Sequence, residues 1–413
     1  MGSAYAAFQQ SLRLLRTRRF GTFWFASLLS NIGTWAQQVA QPWLLLSLGA
    51  SPFLLGLDAF AMGAPVLLLT LVGGAMADGA DRRRIIVVFQ SVQMLCPVLL
   101  VVLLLTGQAR PWVVILMSLV VGITDALSMP SFQSIVPSIV ERRQIPSAIA
   151  LNSTQFNLSR ILGPAIAGVL MASVGAVGAF SVSAASYLPF ILVAWWILPG
   201  VVAAGSHAGG LDSHHLAASV REVLRQPLLR GALATVFASS VLCAPLITFC
   251  PVLVKEVFQG EVGHFSLAMS AFGLGGLMGA TGLLAVRSEQ DRRPLGSGFA
   301  LVYCAVVVLV ALNQWAWALP ALLVVAGAAM TASNASANAL LQSCAPARIR
   351  GQSVSLFMLA MRGGVALGGL LTGLAVNAMG VRESLLCNGV LALLVHAAIR
   401  RQWLRAPLPT LPD

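Results

Sequence analysis

Four charged residues, Asp58, Asp125, Arg160 and Arg362, stand within long, mainly apolar runs of the chain. On insertion scales an aspartate or arginine at the centre of a membrane helix costs about 2.5–3.5 kcal/mol. Such a residue is read first as functional. A carboxylate that meets water on one side of a membrane and then on the other can take up and release a proton. Asp125 and Asp58 are the two candidates for that task. Asp125 aligns with Asn334 at an offset of 209 residues, so one position carries an acid in one half of the chain and an amide in the other. Arg160 suits either an anionic substrate or an ion pair with Asp125.

Uncharged polar residues recur beside these charges at helical spacing. Asn31, Thr34, Gln38 and Gln41 follow 3, 4, 3 spacing, and Thr331, Asn334, Asn338 and Gln342 follow 3, 4, 4. Each set shares one helix face. Asn152, Gln155 and Ser159 form a third row with Arg160 at its edge. Rows of this kind either line a wet cavity or join helices by hydrogen bonds. Other chemistry is poorly represented. No HExxH or GxSxG motif occurs. The six cysteines lie in or beside apolar stretches without metal-ligand spacing, and His214 and His215 read as solvated linker residues. No metal site and no cofactor is expected.

The elements that must position these residues are membrane helices. The chain is 58% hydrophobic and 9% charged, against roughly 25% charged residues in soluble domains. A crossing needs about 20 mainly apolar residues. Windows of that kind lie at roughly 20–48, 53–77, 85–106, 111–133, 147–172, 178–198, 229–254, 264–286, 295–312, 317–342, 351–378 and 384–400. With both ends inside, the inner connections carry 20 basic residues and the outer ones only Arg110, Lys255 and Arg382, as the positive-inside rule requires. The net charge of +12 is spread along these connections in short clusters, which excludes a nucleic-acid groove.

The longest connection divides the chain into an N-terminal six-helix bundle (1–198), a cytoplasmic linker (199–228) and a C-terminal bundle (229–413). Leu216, Val220, Val223 and Leu224 give the linker one apolar helical face, suited to lie on the membrane surface. Internal repetition agrees with the division. "QSIVP" at 133–137 returns as "QSCAP" at 342–346, and "DRR" at 81–83 returns at 291–293, the parallel two-half pattern of some transporters. The pairs Gly275/Gly279, Gly364/Gly368 and Gly369/Gly373 predict close helix contacts.

The loop after the second window reads Gly74-Ala-Met-Ala-Asp78-Gly-Ala-Asp81-Arg82-Arg83-Arg84. Together with its weaker copy near 291, it resembles the loop motif of the major facilitator superfamily, with Gly79 in place of a basic residue and Asp81 in place of a glycine. "SRILGPAIAG" at 159–168, with Gly163, Pro164 and Gly168, resembles the motif of the antiporter branches. "SNIGTWAQQVAQPWLL" and "IPSAIALNSTQFNLSRILGPAIAG" resemble the exporter branch that includes enterobactin exporters and macrolide efflux pumps. The resemblance implies an all-α membrane protein of twelve transmembrane helices in two six-helix pseudo-symmetric bundles. It implies that the first and fourth helices of each half line a central cavity, so that Asn31, Thr34, Gln38, Gln41, Thr331, Asn334 and Asn338 would face it, with Asn152, Gln155 and Arg160 as further candidates. It also implies a gating loop of Gly74, Asp78 and Asp81–Arg84, with Asp78 approaching the start of the eleventh helix when the inner side is closed. The other reading of that loop is that its arginines only enforce topology at anionic headgroups. Asp58 and Arg362, at similar depths in neighbouring helices of this fold, are candidates for an outer ion pair.

These expectations converge on a secondary transporter, not an enzyme. It would export amphipathic small molecules by alternating access, with protons moving the other way and the proton gradient as energy source. An importer or lipid-moving transporter of the same fold is the alternative, ahead of a membrane-embedded enzyme or a channel. The excess of arginine over lysine suggests a bacterial plasma membrane, with both termini cytoplasmic. The expected partners are a small molecule and the bilayer, with the protein a monomer.

Overall fold

Helix is the form a polar backbone takes when the side chains around it are apolar and water is absent, because every N–H and C=O is then bonded within its own segment. The computed structural model of this chain describes residues 13–198, 220–283, 291–346 and 350–405, and these are helical almost throughout. In chain order the helices are α1 (Arg18–Ser47), α2 (Pro52–Gly79), α3 (Arg82–Leu105), α4 (Pro111–Ile135) and a stretch Ile145–Trp196 that holds α5 and α6. Gly175, at φ 67° and ψ −167°, breaks that stretch into its two helices, a backbone conformation that only glycine adopts without strain. There follow α7 (Pro227–Leu242), α8 (Val262–Gly282), α9 (Arg293–Leu312), α10 (Leu319–Cys344), α11 (Arg350–Met379) and α12 (Val381–Arg405). Short turns from Pro245 to Val257 continue the line of α7.

Twelve crossings were expected. Among the described residues ten segments are long and apolar enough to cross a membrane. Of the other two helices, α1 falls below that hydropathy because it carries the polar row beginning at Asn31, and α5 contributes the shorter apolar stretch Leu162–Met171 among the described residues. The outward faces are apolar. Leu68, Trp112, Trp196 and Trp317 are each more than 60% exposed. Trp112 and Trp317 stand at one end of their helices and Trp196 at the other, the placement of interfacial aromatic belts.

Packing divides the helices into two compact units, the described parts of Met1–Leu48 with Leu68–Ala208, and of Gly49–Leu67 with Gly209–Asp413. The sequence division runs between residues 198 and 229; division by packing also cuts α2, whose first part, up to Leu67, lies in the second unit. Glycine is the reason. Gly56 meets the backbone of α11 at Gly369 and Gly373, and Gly63 leaves room for the Ala366 methyl group, so a side chain at either glycine would push the helices apart.

In the first unit, α1 packs on the α5–α6 hairpin, and α3 on that hairpin and α4. Phe20, Phe23, Trp24, Ile86, Ile135 and Phe190 form a buried core at its arginine-bearing end. Phe23 and Phe190 meet edge to face at 5.8 Å. In the second unit, α10 packs on α8 and α9, and α7 on α11 and α12. Its core at the arginine-bearing end gathers Leu229, Val236, Leu341, Phe357 and Trp403 around Val223. Of the surface face expected in the linker, Val223 is therefore buried, Leu224 is exposed, and Leu216 lies outside the described residues, as do His214 and His215.

Candidate functional site

A seam of hydrogen bonds runs through the first unit. From α1, Thr34 Oγ1 lies 3.1 Å from the hydroxyl of Tyr187 on α6. One turn on, Gln37 Oε1 accepts from Ser183 Oγ at 2.9 Å. Gln41 Nε2 then donates to Ser118 Oγ on α4 at 2.6 Å. On the far side of α4, Gln93 of α3 donates to Thr124 Oγ1 at 3.1 Å and accepts from Gln90 at 3.1 Å. Asp125 follows Thr124, is half-buried, and acts electrostatically on the Tyr187 hydroxyl. Asp125 thus stands next to Thr124 in the chain and within electrostatic reach of Tyr187, two members of the bonded seam.

The polar row of α1 therefore divides. Thr34 and Gln41 join helices within the unit, Gln38 is exposed, and Asn31 is half-buried. In α5, Gln155 and Ser159 are buried and Asn152 is half-buried. Gly163, where a Cβ would run into Trp35 and the Ala36 backbone, lets α5 close on α1, and Pro164 and Gly168 are buried with it. The side chain of Arg160 lies outside the described residues.

In the second unit the row of α10 is less satisfied. Thr331 Oγ1 and Asn334 Oδ1 are buried without a hydrogen-bond partner, while Asn338 accepts from the exposed Gln342 at 3.2 Å. Ser333 and Ser336 on the same helix are likewise buried without a partner, and each such group is costly. A second polar group, between α7, α9 and α12, was missed from the sequence. His396, 2% exposed, has its Nε2 2.9 Å from Ser239 Oγ and its Nδ1 2.8 Å from the Ala392 carbonyl. Cys304 Sγ lies 3.5 Å from the same ring and 3.6 Å from Cys243 Sγ. The one available signal was a lone histidine in the last apolar window.

Asp58 is 7% exposed on α2, and Arg362 is half-buried on α11. The glycine contacts give the register between these helices. Ala59 lies beside Gly369, and Leu67 beside Gly363. The Arg362 carbonyl lies against Gly63, so the Arg362 backbone stands on the Gly63–Leu67 turn, about one to two helical turns along the axis from Asp58.

In the charged loop, the described contacts are those of Asp81, Arg83 and Arg84. Asp81 caps α3 by accepting from the Arg83 backbone N–H at 3.0 Å. Arg83 in turn donates to the Trp195 carbonyl at the end of α6, at 3.3 Å, and lies over the Trp195 ring. Arg84 is exposed, 3.7 Å from Asp81. The copy in the second unit repeats this chemistry. Asp291 accepts from the Arg293 backbone at 3.0 Å, and Arg293 donates to the Trp403 carbonyl at the end of α12, at 3.1 Å. Here the guanidinium is buried and pairs with Asp291 through two nitrogens, at 3.0 and 2.9 Å. Partial burial pushes the Asp291 carboxyl up, but the hydrogen bonds and charge of Arg293 outweigh it and hold the carboxyl below its ordinary value. In both units, then, an Asp-x-Arg unit ties the start of the third helix to the end of the sixth. Asp78 and Gly74 belong to α2, but their side-chain surroundings lie outside the described residues. Among those residues no group of three or more His, Cys, Asp or Glu side chains could hold a metal.

Comparison with known proteins follows the same outline. The family described as transmembrane secretion effector matches residues 9–410. The staphyloferrin A transporter of Staphylococcus aureus is 29% identical over 264 residues, 62% of this chain and 64% of its own length. The chain thus spans just under two-thirds of that relative. The multidrug efflux pump Tap of Mycolicibacterium fortuitum is 26% identical, over 90% of this chain and 92% of its own. The enterobactin exporter EntS of Salmonella typhimurium is 24% identical, over 95% of each. Among solved structures, a bacterial homologue of the human lysosomal transporter Spinster, inward-facing and unoccupied, superposes with a TM-score of 0.71 at 16% identity. It covers 96% of this chain and 99% of its own.

Proposed function

Because the chain belongs to the transmembrane secretion effector family, we propose that it exports amphipathic small molecules of the drug, macrolide or siderophore class by alternating access, in exchange for protons. That it is a multi-pass transporter of the major facilitator type, not an enzyme, follows from the family itself. Cargo, direction and coupling are the parts proposed. The observation that carries the reading is the half-buried Asp125, next to Thr124 in the chain and within electrostatic reach of Tyr187 in the polar seam. In an apolar helix bundle such an acid is suited to hold a proton in one stage of a cycle and lose it in another. Unpaired Thr331 and Asn334 acceptors in the second unit support a polar cargo face on α10. Similarity to an efflux pump and an enterobactin exporter supports the outward direction. The basic residues support a plasma-membrane orientation with the arginine-bearing ends in the cytoplasm.

The test is transport by inside-out vesicles under an imposed pH gradient, together with a deletion strain screened for drug sensitivity and for retained siderophore. Uptake into the vesicles that dissipates the gradient is the expected result. Flux in the opposite direction would make the protein an importer and overturn the proposal.

A further inference from the structure

The second unit has a groove that does not include the α10 row. It measures about 410 Å³ and runs between the end of the first part of α2 at Leu67, the first half of α7, and α11. Its walls are leucine, alanine and phenylalanine, among them Leu233, Phe237, Leu356, Leu359 and Leu367. Among the described residues a single charged one lines it, Arg230, in the first turn of α7 at the arginine-bearing end. Phe237 and Leu359 remain 44% and 40% exposed, so the groove opens on the outer surface of the unit. From Leu356 to Leu367 is eleven residues, about 16 Å of helix, roughly half of a hydrocarbon core about 30 Å thick. The groove therefore has the length of one leaflet and one cation at the level of the headgroups.

We infer that this groove binds an anionic phospholipid of the leaflet on the arginine-bearing side, its phosphate on Arg230 and an acyl chain laid along α7 and α11. Charge and lining select this occupant. A free phosphate would use the arginine and leave the apolar walls in contact with water, and an uncharged chain would use the walls and leave the cation unpaired. The dipole at the start of α7 favours the same anion, and Arg221, Glu222 and Arg225 just before it leave the segment with a net positive charge. The site is independent of the cargo and coupling proposed above.

Native mass spectrometry of the full-length protein, loaded with phosphatidylglycerol or with phosphatidylcholine of the same acyl chains, tests the inference. The wild type should retain phosphatidylglycerol about fivefold better, the factor expected of one arginine near an anionic surface. Arg230→Gln should remove that preference, and Arg230→Lys should keep most of it. Arg405→Gln, outside the groove, should leave it unchanged, and Ala234→Trp, which fills the groove, should lower retention of both lipids. Should Ala234→Trp fail to fold, the exposed Arg230 still allows the comparison. A preference that survives Arg230→Gln, or falls equally with Arg405→Gln, would overturn the site. So would displacement of the lipid by millimolar inorganic phosphate.

Discussion

Arg83 and Arg293 hold equivalent places in the two halves, and burial separates them. Arg293 is 5% exposed and bonds to Asp291 and the Trp403 carbonyl. Its truncation leaves a carbonyl and a carboxylate without their partner. Arg293→Ala should cost about 3 kcal/mol, whereas Arg83→Ala, at a half-exposed contact, should cost less than about 1 kcal/mol. Thermal unfolding in detergent reads both. The lowered Asp291 carboxyl adds a pH dependence. A carboxyl held low in the folded state stabilises above its unfolded value, near 4, and stops doing so as pH falls through its lowered value. The melting temperature should therefore drop below about pH 4, and Asp291→Asn should flatten that drop. The repeated DRR was legible in the sequence because it is local. Its tryptophan partners were not, since each lies about 110 residues away along the chain and accepts from the arginine through its backbone carbonyl, which any residue type carries.

At the level of elements, glycine decides which helices touch. A Cβ at Gly275 would collide with the Val324 carbonyl, and one at Gly279 with that of Ala328, so α8 and α10 meet backbone to backbone. Gly368 meets α7 at Val241, and Gly369 and Gly373 meet α2. Gly275→Val should force α8 and α10 apart at a cost of about 1–3 kcal/mol. A methyl group added at Gly298, on α9, would meet nothing within 4 Å; there Gly→Ala should gain about 0.5–1 kcal/mol from helix propensity alone. Opposite signs in the two melting curves are the expected outcome. The glycine spacing announced close contacts, but periodicity does not say which helix comes to each glycine. That is why the sharing of α2 between the units was not foreseen. The row of α1 shows the same limit. Its spacing fixed a common face, while the turn-by-turn division between bonded Thr34 and Gln41 and exposed Gln38 depends on where Tyr187 and Ser118 stand.

Over the whole molecule, hydropathy and basic residues were enough to lay out the helices, and the loop motif was enough for the family. The polar interior was only partly legible. Asp125 stood out as a charge in an apolar run, whereas Gln90, Gln93, Tyr187 and His396 are single polar residues in segments whose average is apolar, and only packing brings them together. The central claim is that Asp125 carries the proton exchanged for cargo. Its direct measurement is proton movement on cargo addition to proteoliposomes holding equal amounts of wild type and Asp125→Asn, each confirmed folded. Cargo should drive proton flux through the wild type, and Asp125→Asn should lose that flux by tenfold or more, a barrier change of about 1.4 kcal/mol or greater, while still binding cargo. Full proton-driven export by Asp125→Asn would contradict the claim.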